Sequence, residues 1–381
     1  MTLSVRSSIH EFSRADWSSW FPDSYPFMRW EFLAVLEDTD CVGARSGWIN
    51  HYFVLSDDSQ RPIAVAPCWL KDHSYGEYVF DWSWASAWER SGLSYYPKLV
   101  TAAPFTPASG PRVWCSPEHP HALSELVEQI GRYCRAQGIS SWHCLFAEPD
   151  QVNALEDLGL HTRLTTQFHW FNRSYRDFDD FVGTFASRKR KSVRRERRRV
   201  EQQGLTLRAL SGDDIDGETW AFFHRCYQMT YAKRSGHGGY LGPTFFTEGC
   251  PQLGDMPVMV VADHEGTPVA AALYFRGGDT LYGRYWGCLQ EFEYLHFEAC
   301  YYQGIDYCIR EGLSHFDPGA QGEHKIQRGF EPVLTHSAHW IADSRFDQAV
   351  AAFTREESAQ VRAYRTAAAD FLPFRADESP D

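Results

Sequence analysis

Several common signatures are missing from this 381-residue chain. No run of about 18 apolar residues occurs, which excludes a membrane-spanning helix. Met1 to Trp20 has no charged start followed by an apolar core, so no secretory leader is expected. The ten cysteines never form C-x-x-C, which argues against a zinc ribbon or a thioredoxin-type motif. Scattered through apolar segments, they read as buried thiols of a reducing compartment, and a cytoplasmic location is expected. Walker loops, G-x-G-x-x-G and G-x-S-x-G are all absent, so classical nucleotide binding and the commonest hydrolase pattern lack support. Positive charge is also scarce: the net charge is −13, against a coating of nucleic acid but not against a local basic site.

Aromatic residues are abundant at 15%, enough for large cores and a lined pocket. The chain is long enough for two domains, and it carries a diffuse internal repeat. His51 to Asp72 and Val258 to Asp279 each read as an apolar run, a polar turn and a second apolar run, the pattern of a β-hairpin. Later, Tyr133, Cys134 and Gly138 match Tyr307, Cys308 and Gly312 without gaps, and each glycine is placed as a helix C-cap before a buried strand. Gly159-Leu160 and Gly329-Phe330 follow. The expectation is an α/β (α+β) chain of two similar units, 1–165 and 166–381.

Between the halves, Thr184 to Gln203 contains good helix formers and ends at Gly204. From Arg188 to Arg199 it carries nine Lys or Arg and one Glu, a net +8, leaving −21 on the rest. Glu196 alone cannot satisfy so many cations by i,i+4 pairing. An anionic partner or ligand phosphate is expected, met by Arg188, Lys189, Lys191, Arg194, Arg195 and Arg198. The alternative is a solvated helix paired with acidic neighbours.

Asp317 to Phe330, DPGAQGEHKIQRGF, follows a predicted buried strand, where ligands of α/β units sit. It concentrates Gln321, Glu323, His324, Lys325 and Arg328, with Gly319 and Gly322 allowing close backbone approach. In the predicted strand Tyr282 to Gly287, Arg284 and Trp286 share a face; a buried arginine there needs an anion or a carboxylate, for which Glu298 is a candidate. His296 and Glu298, with His324 or His336, imitate a metal set, but the spacing is short and no metal is expected. Ser74 to Arg112 embeds Glu77, Asp81, Lys98 and Arg112 among aromatics, and its prolines forbid a long helix. It reads as a rigid pocket wall. The glycine-rich RSGHGG at Arg234 reads as a flexible loop.

The blocks HSYGEYVFDWSWA from His73, PFTPASGPR from Pro104, QFHW from Gln167, SRKRKSVRRERR from Ser187, LYGRYWG from Leu281, LHFEACYYQGIDYCI from Leu295 and PGAQGEHKIQRGF from Pro318 resemble the FemAB-like (peptidoglycan biosynthesis/recognition) family of the GNAT superfamily. The resemblance spans about residues 50–345. It implies two tandem GNAT-like domains, each a mixed sheet flanked by helices, and an N-acyltransferase that moves an aminoacyl group from aminoacyl-tRNA to an amine. The acceptor would be a small molecule or a peptidoglycan precursor. It further implies that the basic helix meets tRNA and that Lys325, with Gly329-Phe330, is similar to a K-x-G-F-type element, here with wider spacing.

Glu323 or His324 is then expected to accept the amine proton, with Lys325 or Arg328 stabilising the oxyanion or fixing the acceptor. Glu77, Asp81, Lys98, Arg112, Arg284, Trp286, His296, Glu298 and Gln321 would bind substrate. No cofactor is expected: CLQEFEY, where a GNAT pyrophosphate loop would lie, has no glycine and two glutamates. A CoA-dependent acyltransferase and a non-catalytic module for a cell-wall precursor are the alternatives.

Overall fold

A computed structural model describes residues 1–320 and 322–375. In chain order the elements are β1 (Thr2–Arg6), α1 (Arg14–Trp20), α2 (Trp30–Asp38), β2 (Trp48–Ser56), β3 (Pro62–Lys71), α3 (Trp82–Arg90), β4 (Lys98–Thr101), β5 (Trp114–Cys115), α4 (Ala122–Gln137), β6 (Ser141–Ala147), α5 (Pro149–Asp157) and β7 (His161–Phe171). They continue with α6 (Phe178–Gly183), α7 (Ser187–Gln202), β8 (Leu205–Ser211), α8 (Gly217–Ser235), β9 (Pro257–His264), β10 (Thr267–Gly277), β11 (Thr280–Cys288), α9 (Leu295–Phe297), α10 (Gln303–Glu311), β12 (His315–Asp317), β13 (Glu331–Ile341) and α11 (Ser344–Ala369). A π-helical turn, Glu298–Tyr302, joins α9 to α10. No helix among the described residues is long and apolar enough to cross a membrane.

The described residues divide into two compact units: 1–166 with 334–363, and 167–333 with 364–375. The linear split at 165 therefore needs correction. Residues 334–363 belong to the first unit because β13 completes its sheet, pairing antiparallel with β6 from His336 to Ile341. The end of β7 lies in the second unit, as the linear split has it, and Trp170 and Phe171 pair there with β12. Sequence order conceals only the return of 334–363, since a strand carries no mark of the sheet that it completes.

Within each unit the repeat is explicit. The hairpins β2–β3 and β9–β10 are antiparallel. The following strands, β4 and β11, pair in parallel with β6 and β12 over three residues each. Right-handed crossover through a helix is the ordinary way to join such parallel strands. Gly138 and Gly312 end α4 and α10 in the left-handed region, at φ 68° in both. The first unit buries Phe53, Leu99, Leu126, Ile130, Trp142 and Leu155 between sheet and helices; the second buries Trp170, Phe181, Tyr274, Tyr302, Ile305, Phe316 and Phe330. Each unit is a mixed sheet flanked by helices.

One local expectation needs amendment. From Ser91 to Arg112 only the short strand β4 is regular and no helix forms, as the prolines require, but Trp82–Arg90 forms α3 before the first of them.

Candidate functional site

In the second unit, β11 and β12 pair only from Thr280/His315 to Tyr282/Asp317. Asp317, the last residue of β12, accepts from Arg284 Nη2 at 2.7 Å and from the Gly319 amide at 2.8 Å. His169 Nε2 lies 3.7 Å away. Burial opposes the Asp317 carboxylate, but Arg284, His169 and the Gly319 amide outweigh it and hold its pKa below the ordinary value. Arg284 thus pairs with Asp317, not with Glu298 as expected. Lys325 is buried beside this pair and donates to the carbonyls of Gly319 (2.6 Å) and Pro318 (3.4 Å). Burial drags its pKa down to about 7; Asp317 opposes that and Arg284 reinforces it.

The turn Glu323–Arg328 brings the other candidates together. Tyr301 Oη and His324 Nε2 share a hydrogen bond of 2.9 Å, and the His324 ring packs on Phe297. His296 lies between Trp286 and Tyr301, with ring centroids 5.5 and 5.4 Å away. Burial lowers both histidine pKa values. The cations Lys325, Arg328 and Arg234 add to this, so both rings are neutral near pH 7. Gly322 (φ 117°) is required: a Cβ there would meet the His324 ring at 2.4 Å. Glu323 is exposed and accepts from Tyr364 Oη at 2.5 Å.

Arg328 stacks on Phe297 at 3.5 Å, donates to the His324 carbonyl (2.7 Å) and to Glu196 Oε2 (2.9 Å). Those commitments make it a brace of the turn, which corrects its expected place as an oxyanion donor. Gln321 lies outside the described residues.

Helix α7 has two faces. Lys189, Val193, Glu196, Arg197 and Val200 face the protein. Glu196 accepts from Tyr302 Oη (2.5 Å) as well as Arg328. Arg197 grips Glu298 (2.9 Å) and Asp306 (2.7 Å), and Lys189 bonds Gln327. Glu298, also held by Gln303 at 2.8 Å, is therefore an anchor for α7 rather than a substrate ligand or a partner of His296 in a metal set. On the opposite face Arg188, Lys191, Arg195 and Arg198 recur at helical spacing, exposed and without an ion-pair partner among the described residues. Arg194 pairs with Asp179 at the edge (2.8 Å), and Lys189 leaves the expected anion-facing set for the inner face.

In the first unit, Lys98 donates to Glu77 (2.7 Å), Asp81 and Ser74 (2.8 Å), all buried. Lys71 sits over the Trp48 ring at 3.7 Å, and burial lowers its pKa to about 7. Tyr95 donates to Asp81 at 2.6 Å and contacts His143, whose Nδ1 meets His339 Nδ1 at 2.7 Å. Three of the four residues assigned to this wall thus meet, as one internal ion cluster. Arg112 does not join them. It is fully buried and donates to the carbonyls of Leu145 (2.8 Å), Pro111 (3.0 Å) and Ala108 (2.6 Å), which makes it a clamp on its own loop and corrects its placement at a ligand.

Sequence reasoning missed Tyr301, Asp317, His169 and Arg234 as parts of this arrangement. For Asp317 a signal existed, since a carboxylate ending a buried strand needs a cation. For Arg234 there was none, because only the fold brings the end of α8 towards His296 and His324. Among the described residues no group of His, Cys, Asp or Glu could hold a metal ion.

No curated protein matches this sequence. Among solved structures, FemX is similar with a TM-score of 0.53 at 12% identity, over 92% of this chain and all of FemX. L-PGS from Bacillus licheniformis is similar with a TM-score of 0.51 at 12% identity, over 84% of this chain and 94% of that one. At such identity these likenesses establish a shared fold. The family model for peptidoglycan biosynthesis/recognition, FemAB-like, matches residues 8–376. With nearly the whole length matched and the tandem units in place, the chain belongs to the FemAB-like family.

Proposed function

We propose that this protein is an N-acyltransferase that forms an amide, taking an aminoacyl group from aminoacyl-tRNA and passing it to the amine of a small-molecule or peptidoglycan-precursor acceptor. The observation that carries this reading is the two-faced α7. Its inner face braces the Glu323–Arg328 turn through Glu196 and Lys189, while its outer face leaves Arg188, Lys191, Arg195 and Arg198 available to phosphates. Membership of the family and the fold shared with FemX support it.

In the reaction, the acceptor's neutral amine attacks the ester carbonyl. A C–N bond forms, the tetrahedral oxyanion collapses, the ribose oxygen leaves with a proton and the amine loses one. Lys325 suits the proton transfer, because a pKa of about 7 matches a base operating near neutrality. His324 is held below its ordinary basicity and is the weaker base. Its place beside Tyr301 suits orientation of the acceptor.

The test is binding of bulk tRNA against salt by wild type and by the quadruple variant Arg188→Ala, Lys191→Ala, Arg195→Ala, Arg198→Ala. Wild type should lose affinity steeply, with a slope of about −0.7 to −0.9 per neutralised phosphate, and the variant should be flatter by about three units. Absence of wild-type binding at low salt would refute the tRNA-dependent reading. Arg197 is left intact because it holds Glu298 and Asp306.

A further inference from the structure

The C-terminal half of α7 and the turn before α9 enclose a cleft of about 570 Å³, open to solvent and lined by Arg195, Arg198, Arg199, Gln202, Glu293 and Tyr294. Its volume is that of a small-ligand site. Arg195, Arg198, Arg199 and Gln202 recur at i, i+3, i+4 and i+7, so one helix face supplies the whole cationic wall.

The facing wall is built rather than loose. Gln203 fixes it at both ends of one residue, its Nε2 donating to the Glu293 carbonyl (3.0 Å) and its Oε1 accepting from the Glu293 amide (3.1 Å). Tyr294 is held at φ 63°, a left-handed conformation that an aromatic residue rarely adopts; it borders the cleft and packs against the apolar cluster of Val200, Leu205 and Leu295. The acidic residues here are already answered. Glu293 accepts from Arg199 at 2.9 Å, and Glu291 from Lys233 at 2.8 Å. Arg195 and Arg198 are left as two guanidinium groups with no ion-pair partner among the described residues, beside one aromatic ring.

We propose that this cleft is a nucleotide site, in which Arg195 and Arg198 hold a phosphate and the Tyr294 ring stacks against an unpaired base. Guanidinium groups match phosphate geometry, and an aromatic face accepts any base. The inference rests on the proposed function, in which the donor carries a nucleotide at its reactive end. It moves anion binding from helix amides, which the two glutamates disfavour, to side chains of α7. A single-stranded RNA end and the nucleotide of coenzyme A share this chemistry.

The experiment uses the full chain and two probes, a fluorescent 12-nucleotide single-stranded RNA and coenzyme A. The variants are Tyr294→Ala, Tyr294→Phe, Tyr294→Asn and Arg195→Ala/Arg198→Ala. Asparagine tolerates the left-handed backbone, so Tyr294→Asn removes the ring even if the alanine variant does not fold. For RNA, loss of the ring should weaken binding about 5- to 100-fold without changing the salt slope, and Tyr294→Phe should bind as wild type does. The double arginine variant should flatten the slope by about 1.4. If loss of the ring leaves RNA affinity unchanged while the double arginine variant still flattens the slope, the cleft is not the site and the tRNA reading stands without it; if the slope is indifferent to the arginine variant as well, both fall. If only coenzyme A binds, and the variants weaken it, the nucleotide site stands and the tRNA reading falls. Binding of neither probe overturns both.

Discussion

Replacing Lys325 with methionine should make the second unit more stable while removing its chemistry. Folding buries this amine, and its pKa falls from 10.5 to about 7. Because the folded-state value is the lower one, the penalty is full below pH 7. It shrinks as pH rises through the window from 7 to 10.5, and vanishes above it. At about 1.4 kcal/mol per pH unit the full penalty is about 5 kcal/mol. Methionine removes it but strands the carbonyls of Gly319 and Pro318, which costs about 1–3 kcal/mol. The net gain at pH 7 is about 2–4 kcal/mol. The assay is urea unfolding of both proteins at pH 7, 8, 9 and 10, followed by the difference between them. The variant's advantage should shrink steadily and reverse by about pH 10. A difference that stays constant over that range, or a variant less stable at pH 7, would refute the argument that Lys325 is carried as a strained amine. If the proposed chemistry holds, transfer by the wild type rises through pH 7 with one proton lost, and Lys325→Met lacks that limb.

Glu196→Ala should destabilise the second unit by about 3–5 kcal/mol, read from the urea midpoint, because it leaves the buried Arg328 without its carboxylate. Lys98→Ala should cost the first unit a similar amount by stranding Glu77 and Asp81, while Arg195→Ala, an exposed change, should shift neither unit by more than about 0.5 kcal/mol. Gly287→Ala should lower the melting temperature sharply, since its Cβ would lie 2.0 Å from the Cys226 carbonyl oxygen. Gly183→Ala, with open space around the added carbon at the end of α6, should leave the melting temperature unchanged or raise it.

Much of this architecture was legible because it is local. Hairpins announce themselves by two apolar runs around a polar turn, and a helix ending in Tyr-Cys-x-x-x-Gly announces its left-handed cap. Gly138 and Gly312 take nearly identical dihedrals for that reason. The basic segment was readable as a helix, but the expected anion-facing set included Lys189, which the fold turns to Gln327, and Arg194, which pairs with Asp179. The short loop after β12 was readable as the place where acid, base and cations gather.

Tertiary structure decided the rest, because partners distant in sequence are chosen by packing and by the need to neutralise buried charge. Nothing in the strand Tyr282 to Gly287 says that Arg284 will take Asp317 instead of Glu298. The choice follows from parallel pairing of β11 with β12. Nothing in the basic run says that Arg197 turns inward to Glu298 while Arg195 and Arg198 have no ion-pair partner among the described residues, until the helix meets the π-turn Glu298–Tyr302. Arg112 looked like a ligand until its guanidinium was found to be consumed by backbone carbonyls. The return of residues 334–363, with the end of β13, to the first unit lies beyond any local pattern, since a strand carries no mark of the sheet that it completes. Sequence set the elements and the inventory of charges. The fold set which charges cancel and which remain to meet a substrate.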